Sequence, residues 1–166
     1  MTALTVILAL ASVTPAVAAS CESLKSLSLP NTTITAAETV AAGQSSVAYC
    51  RVAATLKPTA DSDIAVEVWL PASGWNGKYQ AVGNGGWSGS INSNAMLQAL
   101  RRGYATSSTN TGHNGGSASF ALGHPEKLID YAWRSEHEMA VKAKAIISAF
   151  YGDAPRLSYW NGCSAG

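Results

Sequence analysis

Charge is scarce in this sequence. Asp, Glu, Lys and Arg make up 13% of its 166 residues, about half the usual share of a soluble domain. Eleven basic residues against ten acidic leave a formal charge of +1, which excludes the electrostatic footprint of a nucleic-acid or anionic-membrane binder. The apolar share is 47%, too high for a chain that stays disordered. After Ala19 no apolar run approaches the roughly 18 residues of a membrane span. Cysteine is limited to Cys21, Cys50 and Cys163, and histidine to His113, His124 and His137. No pair among them has metal-ligand spacing. Asp61, Asp63 and Asp153 do not form a calcium-loop pattern. Internal repeats and low-complexity tracts are also missing.

What is present begins with an export signature. Leu4 to Val13 form an apolar core, followed by Pro15 and the small run Ala16-Val17-Ala18-Ala19. Cleavage is expected after Ala18 or Ala19, so residues 1–19 read as a removable leader and 20–166 as the mature part. No Lys or Arg precedes the core, and a buried N-terminal helix is the alternative. Export places the chain outside the cell or in the periplasm, where cysteines pair. Three pairings are open. Cys21 and Cys50 flank one short segment, and closing it would stabilise by roughly 3–4 kcal/mol. Cys163 then has no partner, which in a secreted protein points to a second chain, a free thiol or further sequence. Asn31-Thr32-Thr33 is a glycosylation sequon that matters only in a eukaryotic secretory pathway.

Cys21 to about Leu56 is rich in Ser, Thr and Ala and reads as short edge strands and loops. Ile64 to Leu70 predicts a strand ended by Pro71. Asn76-Gly77 is a turn signal, and Lys78 to Val82 predicts the next strand. The glycine-rich run Gly83 to Gly89 follows. A short helix is predicted over Ala95 to Arg102, capped by Asn92, Ser93 or Asn94 and stopped at Gly103. Tyr104 to Ser108 reads as a buried strand, and Thr109 to Gly123 as a long loop. Leu128, Ile129, Ala132, Trp133, Met139, Ala140, Ala143, Ile147 and Phe150 recur at helical spacing up to Gly152. A strand over Arg156 to Trp160 closes the order. Such alternation predicts an α/β fold with parallel strands and helices on the sheet, stopping where another helix should start.

The last five residues, Gly162-Cys163-Ser164-Ala165-Gly166, match G-x-S-x-G. In that motif small neighbours let a serine occupy a strained strand-to-helix turn, with the following N–H groups aimed at a developing oxyanion. An ordinary glycine turn is the bland alternative, but the predicted helix and strand upstream supply the expected context. Gly83-Asn84-Gly85-Gly86-Trp87 sits after a strand and before a helix, where the other half of an oxyanion hole belongs. The spacing is not that of a phosphate loop. All three histidines precede Ser164, against the serine, acid, histidine order of α/β-hydrolases. His113, in a loop, is the one candidate base among them; His124 reads as a cap or surface residue and His137 as a packed core residue. The five tryptophans read mostly as core, with Trp87 able to face an aromatic substrate.

Val82 to Gly89, Gly103-Tyr104-Ala105-Thr106 onward to Gly112-His113, Asp130-Tyr131 to His137-Glu138-Met139, and Trp160 to Gly166 together resemble the tannase and feruloyl esterase family. The resemblance runs from about Cys21 to the end. It implies a secreted serine esterase with an α/β-hydrolase core that cleaves aromatic esters such as gallates, ferulates or terephthalate monoesters. Ser164 then resembles the nucleophile, and Ala165 with Gly85 or Gly86 the oxyanion donors. Cys21 and Cys50 resemble an N-terminal disulfide, and Cys163 a cysteine bonded to one beside the catalytic histidine. The acid, the histidine, that partner cysteine and a calcium-bearing lid lie downstream in the family and are not in this sequence. Asn110 also stands where family members often carry Asp. The expectation is an incomplete α/β-hydrolase-type sheet truncated at the nucleophile elbow, inactive alone, with no cofactor of its own. The implied partner is a small aromatic ester or a plant cell-wall or polyphenol substrate, without nucleic acid or membrane. The rival readings are a secreted carbohydrate- or polyphenol-binding module, or a truncated non-catalytic remnant.

Overall fold

The computed structural model describes residues 19–43 and 47–166. Apart from Ala19, the expected leader lies outside the described residues. Six strands form one sheet in the order β1-β2-β3-β5-β4-β6. They are β1 (Thr32–Val40), β2 (Tyr49–Leu56), β3 (Ile64–Pro71), β4 (Lys78–Val82), β5 (Ala105–Thr109) and β6 (Leu157–Asn161). Three helices accompany them: α1 (Ser93–Arg101), α2 (Pro125–Ile129) and α3 (Ser135–Tyr151).

The sheet is mixed, which corrects the expectation of parallel strands throughout. β1, β2 and β3 pair antiparallel, and β3 pairs antiparallel with β5. Only β5, β4 and β6 run parallel. The reason lies in the connections. A parallel pair needs a crossover of about a dozen residues or more, and the short link from β3 to β4 holds no helix. The chain turns straight back there, and β5 later inserts between the two strands. The segment before Leu56 also differs from its prediction as short strands. It forms one 3-10 turn at Glu22–Ser26 and two strands of nine and eight residues. Thr, Val and Ile favour extended backbone, and an antiparallel strand needs apolar residues on one face only.

Helices cover both faces. Beneath α3, the side chains Val66, Val68, Leu70, Tyr79, Ala81 and Ala105 of the sheet meet Met139, Ala143, Ile146 and Ile147. Beneath α1, Tyr49, Trp69 and Val82 meet Met96 and Leu100. The Asn92 side chain accepts from Ala95 N–H at 3.3 Å and caps α1, while Gly152, left-handed at φ 77°, ends α3 as predicted. The helix read as continuous from Leu128 is interrupted by a π turn at Asp130–Arg134. The wider turn rotates the register, so Leu128 and Trp133 face solvent at 46% and 56% exposure rather than joining the core. His137, predicted to be packed, is likewise exposed. Cys21 and Cys50 form a disulfide, and Cys163 is free and exposed. No helix among the described residues is long and apolar enough to cross a membrane.

Candidate active site

Because β5, β4 and β6 are parallel, the segments that follow them emerge at the same edge of the sheet. Crevices at the carboxyl ends of such strands are where α/β proteins bind ligands. The glycine loop leaves β4, the Asn110–Gly123 segment leaves β5, and Gly162–Gly166 leaves β6. Gly83 N–H donates to Asn161 C=O at 3.1 Å, joining the ends of β4 and β6.

Ser164 occupies a tight turn closed by the Gly166 N–H on Cys163 C=O at 3.2 Å. Its φ is 62°, a left-handed conformation that costs a non-glycine residue about 1–2 kcal/mol. A side chain on Gly83 or Gly162 would collide with the Trp160 indole, at 2.6 and 2.8 Å, so glycine lets these two segments close on one another. Ser164, Cys163, Gly162 and Asn161 share a cleft of about 340 Å³ with Gly83, Asn84, Gly85, Asn92 and Ala95. Gly86 and Ala165 are not among the cleft-lining residues. Nor does a histidine or carboxylate line it.

Two asparagines fasten the glycine loop to the sheet. The Asn84 amide donates to Thr109 C=O at 2.8 Å, and the Asn92 amide to Gly83 C=O at 3.1 Å. Asn92 N–H in turn donates to the Ser108 hydroxyl at 3.0 Å. These contacts account for part of the polar, buried run Thr106 to Thr109 of β5. Ser107 Oγ meets the Tyr79 hydroxyl and Thr109 Oγ1 donates to Ala65 C=O at 2.9 Å, while Thr106 Oγ1 has no partner among the described residues. Most buried hydroxyls are hydrogen-bonded, and Ser108, through its hydroxyl, and Thr109, through its carbonyl, hold the loop. Further along, Gly86 sits at φ 54° and its carbonyl accepts from the Tyr131 hydroxyl at 2.7 Å. The Tyr131 ring stacks on Trp87 at 4.5 Å.

His113 lies apart from the cleft. It is buried, with Nε2 at 2.9 Å from Trp87 C=O and Nδ1 at 3.3 Å from the Thr111 hydroxyl. A carbonyl can only accept, so Nε2 carries the proton. His124, at the N-cap position of α2, pairs with Asp61 at 3.0 Å on the surface. Asn110 accepts from Ala65 N–H at 2.8 Å and Gly112 N–H at 3.0 Å and shapes the turn leading to His113. Trp87 is 41% exposed beside the loop. Sequence reading missed Asn84, Asn92 and Tyr131 as loop anchors. The signal for Asn92 was its capping position, but nothing local marks the other two.

Under the sheet lie groups with shifted protonation. Burial pushes the Tyr79 phenol well above its ordinary range, although its hydroxyl meets Ser107 Oγ at 2.5 Å. Burial also raises the Glu136 carboxyl to about 7. Among the described residues no group of three or more His, Cys, Asp or Glu side chains could hold a metal ion.

A mixed sheet with helices on both faces and a serine turn after the parallel strand β6, the last in the sheet order, defines an α/β-hydrolase-like architecture. The sequence model for tannase and feruloyl esterase matches residues 50–166, and the chain belongs to that family. It is 41% identical over 165 residues to an uncharacterized esterase of Xanthomonas campestris pv. campestris, covering 92% of this chain and 29% of that protein. The crystal structure of an esterase from Aspergillus oryzae superposes with a TM-score of 0.82 at 30% identity, over 88% of this chain and 32% of the other. Feruloyl esterase B from Aspergillus oryzae gives 0.79 at 29% identity, over 86% and 31%. The chain thus spans less than a third of each of these relatives.

Proposed function

We propose that this chain carries the nucleophile and oxyanion half of an exported hydrolase of aromatic carboxylic esters, feruloyl or galloyl esters or close analogues. The observation that carries the reading is Ser164 at φ 62°, in one cleft with the glycine loop at the carboxyl edge of the parallel strands. Ser164 Oγ attacks the ester carbonyl carbon, and its proton passes to a histidine supplied by sequence beyond this segment. The carbonyl oxygen becomes an oxyanion held by the N–H groups of Ala165 and of Gly85 or Gly86. Collapse of that intermediate expels the alcohol, which takes up the proton, and leaves an acyl group on Ser164. Water then attacks the acyl carbon and releases the aromatic acid. Cys163 forms a disulfide to a cysteine next to that histidine, tying nucleophile and base together. With no histidine in the cleft, the 166-residue chain alone turns over no ester. The disulfide between Cys21 and Cys50 supports export to an oxidising compartment.

Ser164→Ala in the full-length protein tests this on methyl ferulate and methyl gallate. The expected loss of kcat is about 10⁴-fold or more, as for other serine triads. Turnover within tenfold of the parent would contradict the assignment.

A further inference from the structure

We propose that Tyr131 is a positioning residue for the glycine loop, fixing the orientation of the peptides that present its N–H groups. The proposal rests on the esterase reading above. Three successive carbonyls of the loop are engaged. Gly85 C=O accepts from Ser88 N–H at 3.2 Å, Gly86 C=O from the Tyr131 hydroxyl at 2.7 Å, and Trp87 C=O from His113 Nε2–H at 2.9 Å. A trans peptide is planar, so holding a carbonyl directs the N–H of the next residue the opposite way. The Ser88 contact thereby directs the Gly86 N–H, a proposed oxyanion donor. The Tyr131 contact directs the Trp87 N–H and fixes the peptide on the other side of Gly86, so that Gly86 cannot turn. Neither N–H has a partner among the described residues.

Gly86, at φ 54°, is the point where this orientation would be lost. Glycine passes readily between left- and right-handed conformations, and an unheld peptide beside it rotates at little cost. Tyr131 prevents the rotation twice over, by its hydroxyl on the Gly86 carbonyl and by stacking of its ring on Trp87, tilted by 28°. Tyr131 is itself held, since it lies in the π turn that interrupts the long helix. Asp130, fully buried, pairs with Arg134 at 2.9 Å, and Arg134 with Glu126 at 2.7 Å. Ser135 Oγ donates to Asp130 C=O at 2.7 Å. A π turn inside an α-helix is often kept for function; here it places Tyr131 against the loop.

Tyr131→Phe in the full-length enzyme keeps the ring and removes only the hydroxyl. The expected result is a fall in kcat of about tenfold, smaller than loss of a whole oxyanion donor. KM should stay within about twofold and Tm within about 2 °C, because the ring stack and the helix are intact. Three results overturn the proposal: parental kcat, a rise in KM at unchanged kcat, or a fall in kcat matched by a large loss of Tm. Ser164→Ala, measured alongside, separates this from the parent reading. If it keeps turnover, both fall; if it is inactive while Tyr131→Phe has parental kcat, only the role of Tyr131 falls.

Discussion

The antiparallel and parallel halves of the sheet are built to different standards. In β1 to β3 the buried positions are apolar, with Val52, Ala54, Leu56, Ile64, Val66, Val68 and Leu70 on one face and Tyr49 and Trp69 on the other. The disulfide from Cys21 reaches the same half at Cys50. Charge stays off the aliphatic face: on the opposite one, part-buried Arg51 bridges Glu38 and Glu67. In the parallel half, β5 buries Thr106, Ser107, Ser108 and Thr109. Buried side-chain atoms of Gln80, Thr106, Asp130 and Glu136 have no hydrogen-bond partner among the described residues, and all four residues lie outside β1 to β3. Ser164 and Thr111 hold positive φ there, and Asn31 does so at the turn before β1. Most of these departures from local consistency lie outside the antiparallel strands, on the side of the sheet that carries the candidate site.

That division can be broken by experiment. The largest expected effect is on the regular half: replacing Cys21 and Cys50 by Ala should lower unfolding free energy by about 3–4 kcal/mol. Denaturant titration measures it, and kcat of the folded full-length enzyme should be unchanged. A fall in kcat without unfolding would tie the halves together.

The second effect belongs to the parallel half and depends on pH. Glu136 has a folded pKa of about 7 against an ordinary 4.5, so the native state binds more protons than the unfolded chain between these values. The penalty is absent below about pH 4.5, grows as pH rises, and is complete above about pH 7. Glu136→Gln should therefore stabilise by about 1–3 kcal/mol at about pH 8 and by little at about pH 4.5. An equal gain at both pH values would contradict the burial argument. The smallest effect sharpens the contrast. Arg51→Lys should cost about 0.5–1 kcal/mol, in thermal or denaturant unfolding, because lysine keeps the charge but cannot reproduce the forked contacts to Glu38 and Glu67.

The same division decided what could be read from sequence. Lys78–Val82 was located to the residue, Leu157–Asn161 to within one, and α1 with its Asn92 cap and α3 with its Gly152 stop followed from local signals. The serine turn and the glycine loop were legible because each needs small residues at fixed places. Sheet order and strand direction were not, since β5 lies between β3 and β4 although both precede it in the chain. Apolar periodicity misplaced Trp133 and Leu128 because a π turn has no apolar signature and shifts every later residue around the axis. His113 read as a loop residue, yet its burial and its bond to Trp87 come from contacts about 26 residues away in sequence. Tyr131, 45 residues from the carbonyl it holds, could not be seen from spacing.

The central claim is that Ser164 is the nucleophile. Labelling the full-length protein with a fluorophosphonate and mapping the adduct by peptide mass spectrometry tests it most directly. The account predicts one equivalent on the peptide containing Ser164 and none in Ser164→Ala. An adduct on another residue, or undiminished labelling of Ser164→Ala, would contradict it.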